Sequence, residues 1–117
     1  MSSEIIDMTE LMARVEDDRE LMRDLLLIFK EEFPTHLQAL RDAMNSMDGE
    51  KVAAEAHALK GMLSNLAAHP AATAAARLEH LGRNREVSQF PAAFASFEKI
   101  SQELLLQLDT CMAEVSG

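Results

Sequence analysis

The sequence predicts an all-α fold, an antiparallel four-helix bundle with a short additional helix at its N-terminus. Three observations lead there. The composition favours helix: Ala, Leu and Met dominate the 48% of apolar residues, aromatic residues make up only 4%, and four Gly and three Pro punctuate 117 residues. Apolar residues recur every three or four positions in each segment, and no segment sustains the two-residue alternation of a strand. The breaks between segments are short, so consecutive helices must turn back on one another. A chain of this length has room for one core, so residues 1–117 are expected to form a single domain.

Met8, Leu11, Met12 and Val15 mark one face of the short first helix, expected to lie on the bundle as a lid. Asp17 is the expected N-cap of the next helix, with Glu20 three residues on in the capping-box position. Leu21, Leu25, Ile28, Phe29, Phe33, Leu37, Leu40, Met44 and Met47 form its stripe, and Pro34 predicts a kink or a local break, because proline removes one backbone bond and crowds the preceding turn. Asp48-Gly49 reads as a turn and a fresh N-cap, opening a helix over 50–67. His69-Pro70 is a corner, since proline suits the first turn of a helix; that helix runs to about Arg85 with Leu78 and Leu81 inward. Gln89-Phe90-Pro91 opens the last helix, striped by Phe90, Phe94, Phe97, Ile100, Leu104, Leu108, Cys111 and Val115.

A net charge of -9 argues against nucleic acid as a partner, because phosphate backbones demand a basic face, and equally against an anionic membrane surface. The one cysteine, Cys111, cannot form an intramolecular disulfide. With neither a secretory leader nor an apolar run of spanning length, the expected location is the cytoplasm. The expected oligomeric state is a monomer.

The chemistry lies on the third helix. Its apolar seam is Val52, Ala56, Leu59, Leu63 and Leu66, and at about 100° per residue His57 projects roughly 150° away from the centre of that seam. Gly61 follows one turn later on the same outward face, with Ala53, Ala54 and Ser64 flanking and Lys60 to one side. Gly61 costs a helix interior about 1 kcal/mol relative to Ala, and close approach of another protein would account for it. A surface histidine is most often only a surface residue, and a helical glycine often only a packing contact. Their conjunction with Lys60 and a rim of small residues favours a nucleophilic imidazole on a docking face, the ammonium placed to offset charge on a group attached to the ring. Reversal of the chain near Ala68 puts His57, eleven residues before it, level with Glu79, eleven after, and Arg83 one turn beyond. Glu79 either orients the imidazole by accepting its N–H or is a solvated acid on a charged face.

His57-Ala-Leu-Lys60-Gly61 followed by Ser64-Asn65-Leu66-Ala67 resembles the signature of histidine-containing phosphotransfer (HPt) domains. Asp17-Asp18-Arg19-Glu20-Leu21 resembles the opening of that family's second helix, and Leu78-Glu79-His80-Leu81-Gly82-Arg83 resembles its Leu-Glu-x-Leu-Gly/Ala-Arg segment. The resemblance implies a four-helix bundle in a two-component phosphorelay. His57 would take a phosphoryl group from a receiver-domain aspartate, that of a hybrid sensor histidine kinase, and pass it to the receiver of a response regulator. It implies no bound cofactor here, with Mg²⁺ on the partner receiver. In some members the position of Glu79 holds a Gln that bonds the imidazole, and that of Arg83 is basic. Met62-Leu63 departs from the small residues many members carry there; Leu63 suits the seam and Met62, at its edge, would join the docking surface with Ala53, Ala54, Gly61 and Ser64.

Other functions fit less well. Di-metal bundles place a Glu three residues before a His on two helices, and none of His36, His57, His69 or His80 has an acid there, so no metal site is expected. His36 and His80 read as surface residues and His69 as a turn residue. No phosphate-binding glycine loop or nucleophile elbow is present, so the chain is expected to be a carrier without its own kinase or nucleotide site. The remaining alternative is a helical module that docks on receiver domains without phosphotransfer.

Overall fold

The computed structural model describes residues 5–116, with side chains described through Glu114. Its order is α1 (Met8–Arg14), α2 (Arg19–Asn45), α3 (Gly49–Asn65), α4 (His69–Arg83), a short 3₁₀ turn (Val87–Gln89) and α5 (Phe90–Ser116). The four long helices form the all-α bundle. His36 on α2 faces Glu55 on α3, while Lys30 with Asp109 and Arg41 with Glu98 tie α2 to α5, each pair running antiparallel. One continuous core fills the bundle, built on Phe33, Leu40, Leu59, Leu63, Leu78, Phe97, Leu104 and Leu108.

Helix α1 lies over the corner between α3 and α4, in the position expected of a lid. Leu11 is buried beneath it, Arg14 donates to the carbonyls of Ser64 and Asn65, and His69 pairs with Glu10. Ahead of α1, the Gln107 side chain accepts from the backbone N–H groups of Ile5 and Ile6, and both side chains are buried.

Several elements differ from the sequence pattern. Asp18, not Asp17, caps α2: its carboxylate accepts from the Leu21 N–H, while Asp17 sits at φ 60° in the turn before. The helix thus begins one residue later, and Glu20 is too near the cap to close a capping box. Helix α2 runs unbroken past Pro34, held on both sides by packing of Phe33 and Leu40 and by its ion pairs to α5. Helix α3 ends at Asn65 because Ala67 turns to φ 57°, and α4 ends at Arg83 because Arg85 turns to φ 53°. The α5 stripe is as expected, with Phe94 and Ile100 half-buried; Val115 falls outside the residues whose side chains are described.

The largest difference is the face α2 turns inward. Met22, Leu26, Phe29 and Phe33 are buried, whereas Leu21, Leu25 and Ile28 are exposed, Ile28 by 51%. Residues 25–29 are apolar all round, so periodicity does not choose between two adjacent stripes; packing does. Met47, expected to end the stripe, is exposed in the turn after α2 at φ 56°.

Candidate functional site

The α3 seam is buried as expected: Val52, Ala56, Leu59, Leu63 and Leu66 all face the core. This orientation leaves the His57 side chain 65% exposed on the opposite side. Gly61, one turn on, is exposed too, and a Cβ built there would meet nothing within 4 Å. Ala54 is exposed and Ser64 half-buried on the same surface.

Ala53 is not part of that surface. It is buried against α4, where a Cβ on Gly82 would come within 2.7 Å of the Ala53 backbone nitrogen and 2.8 Å of the Gly49 carbonyl. A Cβ on Gly49 would in turn stand 2.6 Å from the Gly82 carbonyl. The absence of side chains at 49 and 82 therefore lets the two helix backbones touch, and Ala53 lies inside that contact rather than on the docking rim. In the sequence Gly49 marks a turn and Gly82 belongs to a motif; neither position by itself reveals a helix crossing.

This close crossing carries Glu79, one turn before Arg83, up to the imidazole. Glu79 is buried, only 3% exposed, and is the point where three basic groups meet. Its Oε2 lies 3.0 Å from His57 Nδ1 and 2.6 Å from an Arg83 guanidinium nitrogen, and its Oε1 lies 2.6 Å from Lys60 Nζ. The solvated-acid reading of Glu79 is thus overturned. The hydrogen bond from Lys60 holds the carboxyl below its ordinary range; burial opposes this, and the His57 bond and the Arg83 and Lys60 charges reinforce it. A carboxylate in its anionic form only accepts, so His57 Nδ1 carries the shared proton. In the neutral ring the lone pair is then on Nε2, the nitrogen left without the Glu79 bond. Lys60, whose side chain is 36% exposed, and Arg83, 67% exposed, reach Glu79 from the solvent side and remain at the surface beside the ring.

A shallow groove of about 160 Å³ lies further along the same face, lined by Leu25, Ile28, Phe29, Glu32, Met62, Asn65 and Leu66. His57, Gly61 and Asn65 follow at four-residue intervals along α3, so the groove continues the row that starts at the histidine. Met62, at the edge of the seam, is half-buried and lines this groove. The α2 side of the groove was not legible in the sequence, because Leu25 and Ile28 read as core. The other histidines stand apart: His36 faces Glu55, His69 pairs with Glu10, and His80 is exposed beside Asn84.

Residues 24–117 match the family described as Hpt domain. The chain belongs to that family. The Hpt fold is also that of a solved structure, histidine-containing phosphotransfer protein B (HptB) from Pseudomonas aeruginosa PAO1. It superposes with a TM-score of 0.83 at 24% identity, covering 98% of this chain and 97% of that one. No curated protein sequence matches the chain. Hpt domains carry phosphoryl groups on histidine, and the matched region contains His57, Lys60, Gly61, Glu79 and Arg83. No helix among the described residues is long and apolar enough to cross a membrane.

Proposed function

We propose that this Hpt chain accepts a phosphoryl group on Nε2 of His57 from the aspartate of one receiver domain, that of a hybrid sensor histidine kinase. It then passes the group to the receiver of a response regulator. The observation that carries this reading is the bond from His57 Nδ1 to the buried Glu79 carboxylate on an otherwise open face. That bond holds the ring and leaves Nε2 as the nucleophile. In the forward step the Nε2 lone pair forms the N–P bond as the aspartyl P–O bond breaks. The electron pair of that bond returns to the receiver's carboxylate, and the Nδ1 proton stays in place. The reverse sequence delivers the group to the second receiver. Lys60 and Arg83 offset the charge of the arriving dianion.

The receiver docks over Ala54, Gly61, Met62 and Ser64 and on the apolar groove that continues their row, with Leu25 and Ile28 supplying buried area. The chain binds no cofactor of its own and has no nucleotide site; Mg²⁺ is held by the partner receiver. It acts as a cytoplasmic monomer. The test is incubation with receiver domains phosphorylated in the presence of Mg²⁺. Label should pass to the wild-type chain and not to His57→Gln. Receiver binding without any transfer would instead identify a docking module, and label on His36, His69 or His80 would refute the site.

A further inference from the structure

Position 79 holds a charge where a neutral amide would satisfy the same hydrogen bond, and the balance of charges around it bears on the phosphorylated state. Lys60 and His57 from α3 and Arg83 from α4 itself are the titratable groups in contact with Glu79 among the described residues. With a neutral imidazole, two cations face one anion, so the site carries one net positive charge. Attaching a phosphoryl dianion to Nε2 while Nδ1 keeps its proton turns the ring into an imidazolium. The three positive groups then match the carboxylate and the dianion, and the site is neutral. An amide at 79 would leave one positive charge in excess, which loss of the Nδ1 proton would remove. That proton matters chemically. When the P–N bond of a protonated ring breaks, its electron pair leaves on a neutral imidazole. From a deprotonated ring it would have to leave on an imidazolate, a far poorer leaving group.

We propose that Glu79 is a positioning residue whose negative charge, beyond its hydrogen bond, keeps the Nδ1 proton on phosphorylated His57 and so keeps the phosphoryl group transferable. The inference rests on His57 being the phosphorylated residue. Burial of the carboxylate among three basic groups strengthens the effect, because little solvent screens it from the ring. Lys60 and Arg83 act in the opposite direction, each favouring release of the proton.

The test uses the full chain loaded with phosphoramidate, which gives its phosphoryl group to an imidazole with release of ammonia. Loss of the P–N bond is followed by phosphorus NMR across pH, where hydrolysis slows as the ring loses its proton. Glu79→Gln should displace the slowing limb of that profile to lower pH by about one unit, and Glu79→Asp should restore most of it. Arg83→Met and Lys60→Met should displace it the other way. Coincident profiles for wild type and Glu79→Gln would overturn the proposal and leave the phosphorylation site intact. Absence of phosphohistidine at position 57 in the wild type would overturn the functional reading itself. If Glu79→Gln does not fold by circular dichroism, the two methionine variants decide: a shift to lower pH in either refutes the role of charge.

Discussion

Gly61 and Gly82 each lie within a helix, where glycine lowers the intrinsic propensity, by up to roughly 1 kcal/mol against Ala in the interior, yet their surroundings are opposite. Around Gly82 an added Cβ would strike backbone of α3 at 2.7 and 2.8 Å, so the missing side chain is used by the bundle itself. Around Gly61 there is open space, so the bundle makes no use of the missing side chain. Gly82 brings Glu79 up to His57, and Gly61 leaves the other side of the ring clear. The comparison teaches that the same local weakness in a helix serves internal packing in one place and access to a surface in the other. Only the neighbour across the gap tells them apart.

The comparison breaks most readily at Gly82. Gly82→Ala forces two backbones apart where no flexible side-chain end can yield, and should cost about 3 kcal/mol, read as a lower urea midpoint and melting temperature. A variant as stable as wild type would show that the α3–α4 crossing has room for a side chain at 82 and does not set the position of Glu79.

Glu79→Ala comes next, at about 2 kcal/mol. It leaves the Lys60, His57 and Arg83 donors without their acceptor, but the largely exposed His57 and Arg83 regain water in exchange. The same residue sets a pH dependence. Its folded-state value is lowered, so its contribution is fully present above the ordinary carboxylate range and is lost as pH falls through the lowered value. Denaturant unfolding from about pH 5 downward should therefore steepen in wild type relative to Glu79→Gln. Parallel curves would mean the carboxylate has no net favourable interaction in the folded state.

At Gly61 the expected sign reverses. Gly61→Ala should stabilise the protein by up to about 1 kcal/mol, since the Cβ meets nothing and the helix gains propensity. Gly61→Gln should melt no lower than wild type yet slow exchange with a phosphorylated receiver, because the side chain stands where the partner must approach. A Gly61→Gln protein that melts far below wild type, or that exchanges at the wild-type rate, would erase the contrast with Gly82. The smallest effect belongs to His57→Gln, within about 0.5 kcal/mol in stability, because that side chain is outside the core. A larger loss would mean the imidazole helps to hold Glu79 in place.

Much of this protein is determined by its sequence alone. The helical periods, the Asp and Pro signals at helix starts and the α3 seam specify an all-α bundle, because backbone propensity and the burial of one apolar stripe are local properties. The outward direction of His57 and Gly61 follows from the same seam by rotation along one helix. The level pairing of His57 with Glu79 followed from counting residues around a turn. What only the tertiary structure decided lies between helices. Residues 25–29 are apolar on every side, and packing against α3 and α5 chose Met22, Leu26 and Phe29 for the core and left Leu25 and Ile28 outside. Ala53 read as an outward small residue and was claimed by α4, because a glycine at 82 let that helix come closer than a sequence pattern can express. Glu79 read either as a solvated acid or as the group that orients the imidazole. Its burial among Lys60, His57 and Arg83 depends on how closely two helices cross, a distance set by the side chains missing from both.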